Sequence, residues 1–216
     1  MEIKAGNGDG IDSWNEVTLV YHAALRQVET KMEILNDEFQ HVHQYNPIEH
    51  IKARIKTPES IVKKLKRNGY ESTIENMVKY VNDIAGIRII CSFTSDIYRI
   101  VEMISDQKDI RVIGVKDYIT YPKASGYKSY HMIVTVPVYL SDRIVDTKVE
   151  IQIRTVAMDF WASLEHKIHY KFEGDAPEHI KSELIECAKM VADLDARMLS
   201  LNDEVLSISH KKIFAE

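Results

Sequence analysis

The sequence predicts an α/β (α+β) domain in which long terminal helices flank a small mixed β-sheet. Apolar residues recur at helical spacing towards both ends of the chain, whereas they alternate with polar residues in its middle. Composition is a further observation: 45% of the 216 residues are hydrophobic, which is enough for the core of one domain. Disorder is therefore excluded as the main state.

The first element is a long helix. Ser13 and Glu16 have the spacing of a capping box, and a stripe of apolar residues at helical spacing extends to Phe39. Residues 1–12 are rich in glycine, so we expect a flexible leader there and a single domain over 13–216.

Shorter elements follow in the middle of the chain. In order, the patterns predict an extended lead-in with Arg54 and Lys56, helices over about 58–68 and 72–81, a strand over 86–93, a helix over 95–105, a strand over 110–118, a loop over 120–128, two strands around Tyr130–Val136 and Val149–Ile153, and helices over about 156–171 and 178–209. The stripes of the first and last helices are longer than a small sheet can cover. We therefore expect them to pack on each other or on another subunit.

Charge and cysteine content exclude several classes of protein. The net charge of -5 excludes a protein whose whole surface binds nucleic acid, but it allows a local basic patch. Cys91 and Cys187 belong to no metal-binding or disulfide pattern, and no apolar stretch is long enough for a signal peptide or a membrane span. We expect a cytoplasmic protein that needs neither a membrane nor a large nucleic acid.

The predicted strand 147–154 carries the strongest local signal. Its period of two sends three apolar residues into the core and leaves Glu150, Gln152 and Arg154 together on the other face. An ordinary strand with a solvated polar face would show the same alternation. One acid flanked by Gln and Arg indicates a site, although the indication from this strand alone is weak.

Asp83 lies just before the strand 86–93, in the hexapeptide that ends with Arg88. Gly86 between them allows a ligand or backbone to approach closely. Together with Glu150, Asp83 offers a pair of hard oxygen ligands for Mg²⁺, which uses one or two protein carboxylates and completes its shell with water and phosphate. The alternative is that Asp83 caps a turn and Arg88 pairs with a nearby carboxylate.

A basic cluster lies between residues 51 and 68, where seven Lys and Arg accompany one acid. Arg54 and Lys56 alternate in the extended lead-in, and Lys64 and Arg67 share one face of the helix that follows. Arginine binds phosphate in a bidentate manner and lysine binds it as a point charge, so the mixture indicates a phosphate site. A solvated charged face is the alternative.

The segment 116–131 combines tyrosines, lysines, proline and glycine. Tyrosine rings offer flat faces to a base, and lysines attract phosphate. His131 is out of register with the apolar residues of its strand, so we expect it to face the site. A protein-contact surface would have a similar composition.

Four stretches together resemble the synthetase domain of the RelA/SpoT family, and specifically its short single-domain branch, the small alarmone synthetases. They are RIKTPESIVKKLKRN (54–68), DIAGIRII (83–90), KDYITYPKASGYKSYH (116–131) and EIQIRTVAMDFWASLEHKIHYK (150–171), which cover about half of the chain in family order. The resemblance implies a nucleotidyltransferase-like sheet. It also implies transfer of the pyrophosphate of ATP to the 3′-hydroxyl of GTP or GDP, with AMP released and (p)ppGpp formed.

The resemblance further implies a role for each matching residue. Asp83 and Glu150 match the magnesium acids, and Glu150 also matches the base that takes the 3′-hydroxyl proton. The residues implied to bind ATP are Arg54 and Arg88 on either side of the adenine, and Lys56, Lys64 and Arg67 along the phosphates. Those implied to bind GTP or GDP are Lys123, Ser125, Tyr127, which stacks on guanine, and His131. Gln152 and Arg154 are implied to support Glu150.

Other features refine this expectation. Ser125 stands where many relatives have Asn, at a position that bears on the guanine contact. The His-Asp dipeptide of the family's hydrolase domain is absent from the sequence, so we expect synthesis without hydrolysis and without a regulatory domain. A homotetramer is the state expected from the family. Two alternatives stay open: a related pyrophosphotransferase acting on adenosine nucleotides or RNA, and a non-catalytic nucleotide-binding or RNA-binding module.

Overall fold

A computed structural model describes residues 13–43, 45–171 and 176–213. The expected flexible leader, residues 1–12, lies outside these ranges. The elements are α1 (Trp14–His41), β1 (Ile48–Ile55), α2 (Pro58–Arg67), α3 (Ile74–Tyr80), β2 (Ala85–Cys91), α4 (Thr94–Ser105), β3 (Arg111–Asp117), β4 (Tyr130–Tyr139), β5 (Ile144–Thr155), α5 (Val156–Lys171) and α6 (Glu178–Ile213). The mixed α/β class predicted from the sequence is confirmed.

The strands form one sheet in the order β1-β2-β5-β4-β3. The β2–β5 pair is parallel and the other neighbours are antiparallel, so the sheet is mixed as expected. The parallel pair requires a long crossover, which the intervening chain provides. This arrangement places β5, the strand with the strongest sequence signal, at the centre of the sheet.

Side-chain caps begin the predicted helices at the expected positions. The Ser13 hydroxyl accepts a hydrogen bond from the backbone N–H of Glu16 at α1, and Thr57 accepts one from Ser60 at α2. The lead-in before α2 differs from the expectation in one respect, because it is an edge strand, β1, whose residues pair with β2. The alternation expected for an extended segment is present, since Ile51, Ala53 and Ile55 are partly buried and the residues between them are exposed.

Helix α1 lies across one face of the sheet. Its predicted apolar stripe is buried, with Val20, Ala24 and Val28 fully inaccessible, and it packs on β1, β2, β4 and β5. Burial of each Val or Leu side chain of this kind stabilises the fold by about 1.5–3 kcal/mol. The opposite face of the sheet is thereby left for polar side chains.

Helix α6 has the same kind of stripe, but half of its residues are exposed. It packs on α5 and α4, whereas α1 packs on the sheet, so the expected mutual packing of the two terminal helices is not their main contact. Leu194, Met198, Leu201 and Val205 of the stripe are about half exposed. The described part of the chain includes no helix with the length and apolar character to cross a membrane.

Candidate active site

Functional side chains collect on the sheet face opposite α1, in two rows that cross the strands. The first row consists of Arg54 on β1, Gly86 on β2, Glu150 on β5, Ile133 on β4 and Gly114 on β3. The second consists of Lys52, Arg88, Gln152, His131 and Lys116 in the same order. The predicted orientation of His131 and of the polar face of β5 is confirmed. Strand pairing therefore brings together residues of all four stretches that were distant in sequence.

Asp83 lies in the turn between α3 and β2 and holds two lysines. Nζ of Lys56 donates to Oδ2 at 2.8 Å, and Nζ of Lys64 donates to Oδ1 at 2.8 Å. Burial acts to raise the pKa of the Asp83 carboxyl, but the hydrogen bonds and charges of the two lysines outweigh it and leave the pKa below its usual value. Asp83 is therefore ionised at neutral pH and orients both ammonium groups towards the sheet face.

Glu150 is the acid at the middle of the first row. Gln152 donates from Nε2 to Oε2 of Glu150 at 2.7 Å, and Nδ1 of His131 lies 3.4 Å from Oε1. Burial raises the pKa of Glu150, and so does the nearby negative charge of Asp83. The interactions with His131 and Gln152 lower the pKa and outweigh both, so it lies below its usual value. Glu150 is thus an ionised carboxylate with Gln152 donating to one oxygen and the His131 ring beside the other.

Two cavities open on this face and share Glu150. The β1–β2 cavity, of about 180 Å³, is lined by Lys52, Ala53, Arg54, Asp83, Gly86, Ile87, Arg88, Glu150 and Gln152. The β3–β4 cavity, of about 340 Å³, is lined by Lys64, Asn82, Ile113, Gly114, Val115, Lys116, Tyr118, Lys123, His131, Ile133 and Glu150. One ionised carboxylate therefore stands between two cavities that both carry positive side chains.

Aromatic rings at the edge of the β3–β4 cavity pack edge to face. The ring centroid of Tyr118 lies 6.0 Å from that of Tyr127 and 5.3 Å from that of His131. Nζ of Lys123 lies 4.8 Å and 4.7 Å from the centroids of Tyr118 and Tyr127, which is within cation–π distance of both. The loop thus presents ring faces and an ammonium group together, as the sequence predicted.

Gly126 fixes this loop against α6. Its φ is +86°, and a Cβ built on it would lie 2.5 Å from Cβ of Ala188, so only glycine fits both the backbone and the space. Tyr127, the next residue, packs partly against the cluster of Trp161, Ala162 and Ala188. The position of the tyrosine ring is therefore determined by helices far along the chain.

A third cavity, of about 260 Å³, lies behind the loop, between it and α5–α6. Its lining is mainly apolar and includes neither Asp83 nor Glu150. Asp195 lies in its wall and accepts a hydrogen bond from the Thr155 hydroxyl at 2.7 Å. Burial raises the pKa of Asp195, which is typical of an acid in an apolar wall. This cavity is separate from the two on the sheet face.

Arg154 is nearly fully buried at the edge of the site. It donates from Nε to Ser129 Oγ at 3.2 Å and from Nη2 to Gln152 Oε1 at 3.0 Å, and it also donates to the Tyr127 hydroxyl. Within the described residues its link to Glu150 runs through Gln152. The support of Glu150 that the resemblance implied is therefore indirect.

Not every implied residue lies on a cavity wall. Arg67, at the end of α2, is exposed, and Ser125 is half-buried in the loop. The implied residues that line neither of the two cavities are Arg67, Ser125, Lys56, Tyr127 and Arg154. Lys64, which the resemblance implied for ATP, lines the β3–β4 cavity. The alternative weighed for Arg88 is also correct, because Arg88 pairs with a carboxylate, Asp159, at 3.0 Å. Sequence reasoning did not single out Asp159. The signal available for it was an acid in the first turn of the helix that directly follows β5.

The two carboxylates fit the chemistry of a magnesium site. Asp83 and Glu150 both border the β1–β2 cavity, both have a lowered pKa, and each supplies hard oxygen atoms. Within 13–43, 45–171 and 176–213, no group of three or more His, Cys, Asp or Glu side chains suited to a metal is formed. Asp83 and Glu150 are therefore the residues that could hold Mg²⁺, which takes one or two protein carboxylates and completes its shell with water and phosphate.

The family model described as "Region found in RelA / SpoT proteins" matches residues 53–175, which is more than half of the chain. The matched range includes Asp83, the aromatic loop and every residue of the two rows except Lys52. The chain belongs to the RelA/SpoT family. The resemblance found in the four stretches is thereby confirmed.

Relatives of this RelA/SpoT protein match it over most of its length. It is 49% identical to GTP pyrophosphokinase YwaC of Bacillus subtilis over 195 residues, 90% of this chain and 93% of the relative. The crystal structure of small alarmone synthetase 2 from B. subtilis has a TM-score of 0.81 at 48% identity and covers 88% of this chain and 98% of its own. Small alarmone synthetase 1 from B. subtilis, bound to its product pppGpp, has a TM-score of 0.83 at 34% identity and covers 89% and 97%.

Proposed function

We propose that this protein is a GTP pyrophosphokinase that transfers the pyrophosphate group of ATP to the 3′-hydroxyl of GTP or GDP, forming pppGpp or ppGpp and AMP. The observation that carries the proposal is that Glu150 borders both the β1–β2 and the β3–β4 cavity. A transfer between two nucleotides needs a group at the junction of two binding sites. The proposal is supported by relatives named GTP pyrophosphokinase and by the relative bound to pppGpp.

ATP is assigned to the β1–β2 cavity. Arg54 and Arg88 line it, and guanidinium groups stack well on a purine ring. Lys56 and Lys64 both donate to Asp83, which lines this cavity, and would supply positive charge to the triphosphate; Lys64 itself lines the neighbouring β3–β4 cavity. This chain would thus hold the donor by stacking at the base and by charge along the phosphates.

The acceptor is assigned to the β3–β4 cavity. Tyr127 and Tyr118 offer ring faces to guanine, and Lys116 and Lys123 supply positive charge for its phosphates. His131 lies between Tyr127 and Glu150: its Nε2 is 2.9 Å from the Tyr127 hydroxyl and its Nδ1 is 3.4 Å from Glu150. This chain of contacts fixes the carboxylate relative to the ring on which the acceptor base would stack.

Glu150 is the group that receives the proton of the acceptor. In the transfer, the 3′-oxygen forms a bond to the β-phosphorus, the bond between that phosphorus and the oxygen bridging to the α-phosphate breaks, and AMP leaves with the electron pair. The 3′-hydroxyl proton passes to a carboxylate oxygen of Glu150, which is ionised at neutral pH because its pKa is below the usual value. A weak base of this kind assists as the oxygen begins to bond.

Asp83 and Glu150 are the residues that would hold Mg²⁺. When bound, the ion supplies charge neutralisation on the phosphate oxygens. The protein's own part is to keep both carboxylates ionised, and the contacts of Lys56 and Lys64 on Asp83 and of Gln152 and His131 on Glu150 do so.

The deciding experiment incubates the protein, ATP and Mg²⁺ with GTP, GDP, a short RNA or no acceptor, and identifies the nucleotides formed. We expect AMP together with pppGpp from GTP or ppGpp from GDP, and no product with Glu150→Gln. Product on RNA or on ATP alone, with none on guanine nucleotides, would favour the related pyrophosphotransferase. Binding without turnover, unchanged in Glu150→Gln, would favour the non-catalytic module.

The protein is also inferred to act in the cytoplasm as a homo-oligomer, with a tetramer as the expected state. The partly exposed apolar stripe on α6 supports association, since Leu194, Met198, Leu201 and Val205 are about half exposed. Sedimentation at micromolar concentration tests this, and a monomer there would contradict it.

A further inference from the structure

One carboxylate outside both cavities contacts an arginine of each. Oδ1 of Asp159 accepts a hydrogen bond from Nη1 of Arg88 at 3.0 Å and another from Nη1 of Arg154 at 3.2 Å. Arg88 lines the β1–β2 cavity, and Arg154 contacts the hydroxyl of Tyr127 at the edge of the β3–β4 cavity. Asp159 itself is not among the residues that line either cavity.

We propose that Asp159 is a positioning residue that holds Arg88 in place for the adenine of ATP and ties it to the arginine behind the acceptor tyrosine. The proposal rests on the function proposed above, because that function assigns ATP to the β1–β2 cavity. Asp159 acts through the two arginines and does not touch the reacting atoms.

The two arginines depend on Asp159 to different degrees. Among the described residues, Asp159 is the one hydrogen-bond partner of Arg88, whose Nε is buried without a partner. Arg154 has three further acceptors, Ser129, Gln152 and Tyr127, and stacks over the Tyr127 ring at 5.0 Å. Removing the carboxylate would therefore release Arg88 and leave Arg154 in place.

The charges of the two arginines also make Arg88 depend on Asp159 more than Arg154 does. Arg154, with a side chain only 5% exposed, cannot move to solvent, whereas the Arg88 side chain is 30% exposed. Burial lowers the pKa of Arg154, and the nearby charge of Arg88 lowers it further, whereas Asp159 opposes that effect. Without the negative charge, the repulsion between the two guanidinium groups would drive Arg88 outwards.

The backbone that carries Asp159 is well anchored. It lies in the first turn of α5, where the Thr155 hydroxyl accepts a hydrogen bond from the backbone N–H of Met158 at 3.1 Å. The same hydroxyl donates to Asp195 of α6 at 2.7 Å. Because the N-terminus of α5 is capped and hydrogen-bonded to α6, its carboxylate can hold a guanidinium plane in one orientation. An arginine that stacks on a base needs such an orientation.

The test compares Asp159→Asn with the control Asp146→Asn, which removes an exposed acid paired with Arg111. For Asp159→Asn we expect KM for ATP to rise about tenfold, as for loss of one charged hydrogen bond, with a smaller rise in KM for GTP or GDP and a small change in kcat. We expect the control to match wild type. Equal rises in both KM values, or none, would overturn the proposal.

A double-mutant cycle separates positioning from a general structural effect. If Asp159 acts on ATP through Arg88, Asp159→Asn should raise KM for ATP much less in an Arg88→Ala background than in wild type. Additive effects would overturn the proposal. Should Asp159→Asn fail to fold, as judged by thermal melting, Asp159→Glu keeps the charge but moves it, and a smaller rise in KM for ATP is expected; an unchanged value would overturn the proposal.

Calorimetric titration with a non-hydrolysable ATP analogue and Mg²⁺ keeps this inference distinct from the proposed function. Asp159→Asn should weaken binding about tenfold whether or not turnover occurs. A wild type that binds the analogue, responds to the substitution in this way and makes no product would leave the positioning role standing and the proposed reaction wrong. Equal affinity in both proteins would overturn the positioning role alone.

Discussion

The β1–β2 cavity and the β3–β4 cavity are built by different means. In the first, charged groups pair with acids: Asp159 holds Arg88, and Asp83 in the cavity wall holds Lys56 and Lys64, of which Lys64 also lines the β3–β4 cavity. In the second, rings from a loop and a strand pack on each other, and Gly126 seats the loop on α6.

The difference predicts which kind of substitution should impair each cavity. Ion pairs orient the side chains of the β1–β2 cavity. Removing one acid there leaves its lysine or arginine partner charged but no longer held in place. Ring packing orients the side chains of the β3–β4 cavity, so the shape of a side chain matters more than its charge. Glu150 borders both cavities, and its replacement is expected to have the largest effect on activity.

Glu150→Gln removes the shared carboxylate while keeping the size of the side chain. We expect kcat to fall about 10³-fold, because the proton acceptor is lost, while both nucleotides still bind. Quench-flow or steady-state assays measure kcat, and calorimetry with each nucleotide measures binding. Asp146→Asn, a replaced acid on the same strand, is the control, and a Glu150 variant with a rate near that of wild type would contradict the assignment.

Asp83→Asn tests the ion pairs beside the β1–β2 cavity. We expect kcat/KM to fall about 10²-fold and the free energy of unfolding to fall by about 1–2 kcal/mol, since two lysines lose a partly buried acceptor. The same assays and urea unfolding at pH 7 measure these changes. Normal activity together with normal stability would show that the lysines need no acid.

The stability effect of Asp83 should depend on pH. Because folding lowers the pKa of Asp83, its contribution is complete above the unfolded-state pKa of about 3.9 and is lost as the pH falls through the lower folded-state value. The difference in unfolding free energy between wild type and Asp83→Asn should therefore shrink on acidification. Urea unfolding repeated at several acidic pH values measures it, and a difference that grows in acid would contradict the lowered pKa.

Tyr127→Leu tests the aromatic packing at the edge of the β3–β4 cavity. We expect KM for the guanine nucleotide to rise about tenfold, through loss of stacking, while KM for ATP stays the same. Tyr127→Phe keeps the ring and loses the contacts of the hydroxyl with Arg154 and His131, so a smaller rise is expected. Equal effects of the two variants would mean that the hydroxyl, and not the ring, holds the acceptor.

Gly86→Ala gives the smallest expected effect, and it is confined to the β1–β2 cavity. The added Cβ would lie 3.9 Å from Cγ of Arg54, an ordinary contact, so the melting temperature should not change. The methyl group would take space on the cavity floor between Arg54 and Glu150, and we expect a rise of about threefold in KM for ATP, below 1 kcal/mol. Unchanged KM for ATP would mean that the nucleotide does not approach this part of β2.

Sequence alone was sufficient for the elements with a strong period. The alternation of β5 correctly placed Glu150 and Gln152 on one face, and the out-of-register position of His131 correctly directed it to the same face. These predictions succeed because one period fixes the side of an element on which each residue lies.

Contacts between elements could not be predicted in this way. The segment of the edge strand β1 was expected to be extended, but its pairing with β2 could not be predicted from its own residues. Asp159 lies on a helix face whose direction depends on how α5 packs, so no pattern marked it as a partner of Arg88.

The amino-acid sequence determined the fold class, the family and the polar residues of each strand, because these depend on local periods and on motifs within single stretches. Only the tertiary structure decided which residues meet. The strand order β1-β2-β5-β4-β3 places Glu150 between two cavities, and the packing of α5 brings Asp159 to both arginines. The physical reason is that hydrogen bonds and charge act over a few ångströms in space, whatever the separation along the chain.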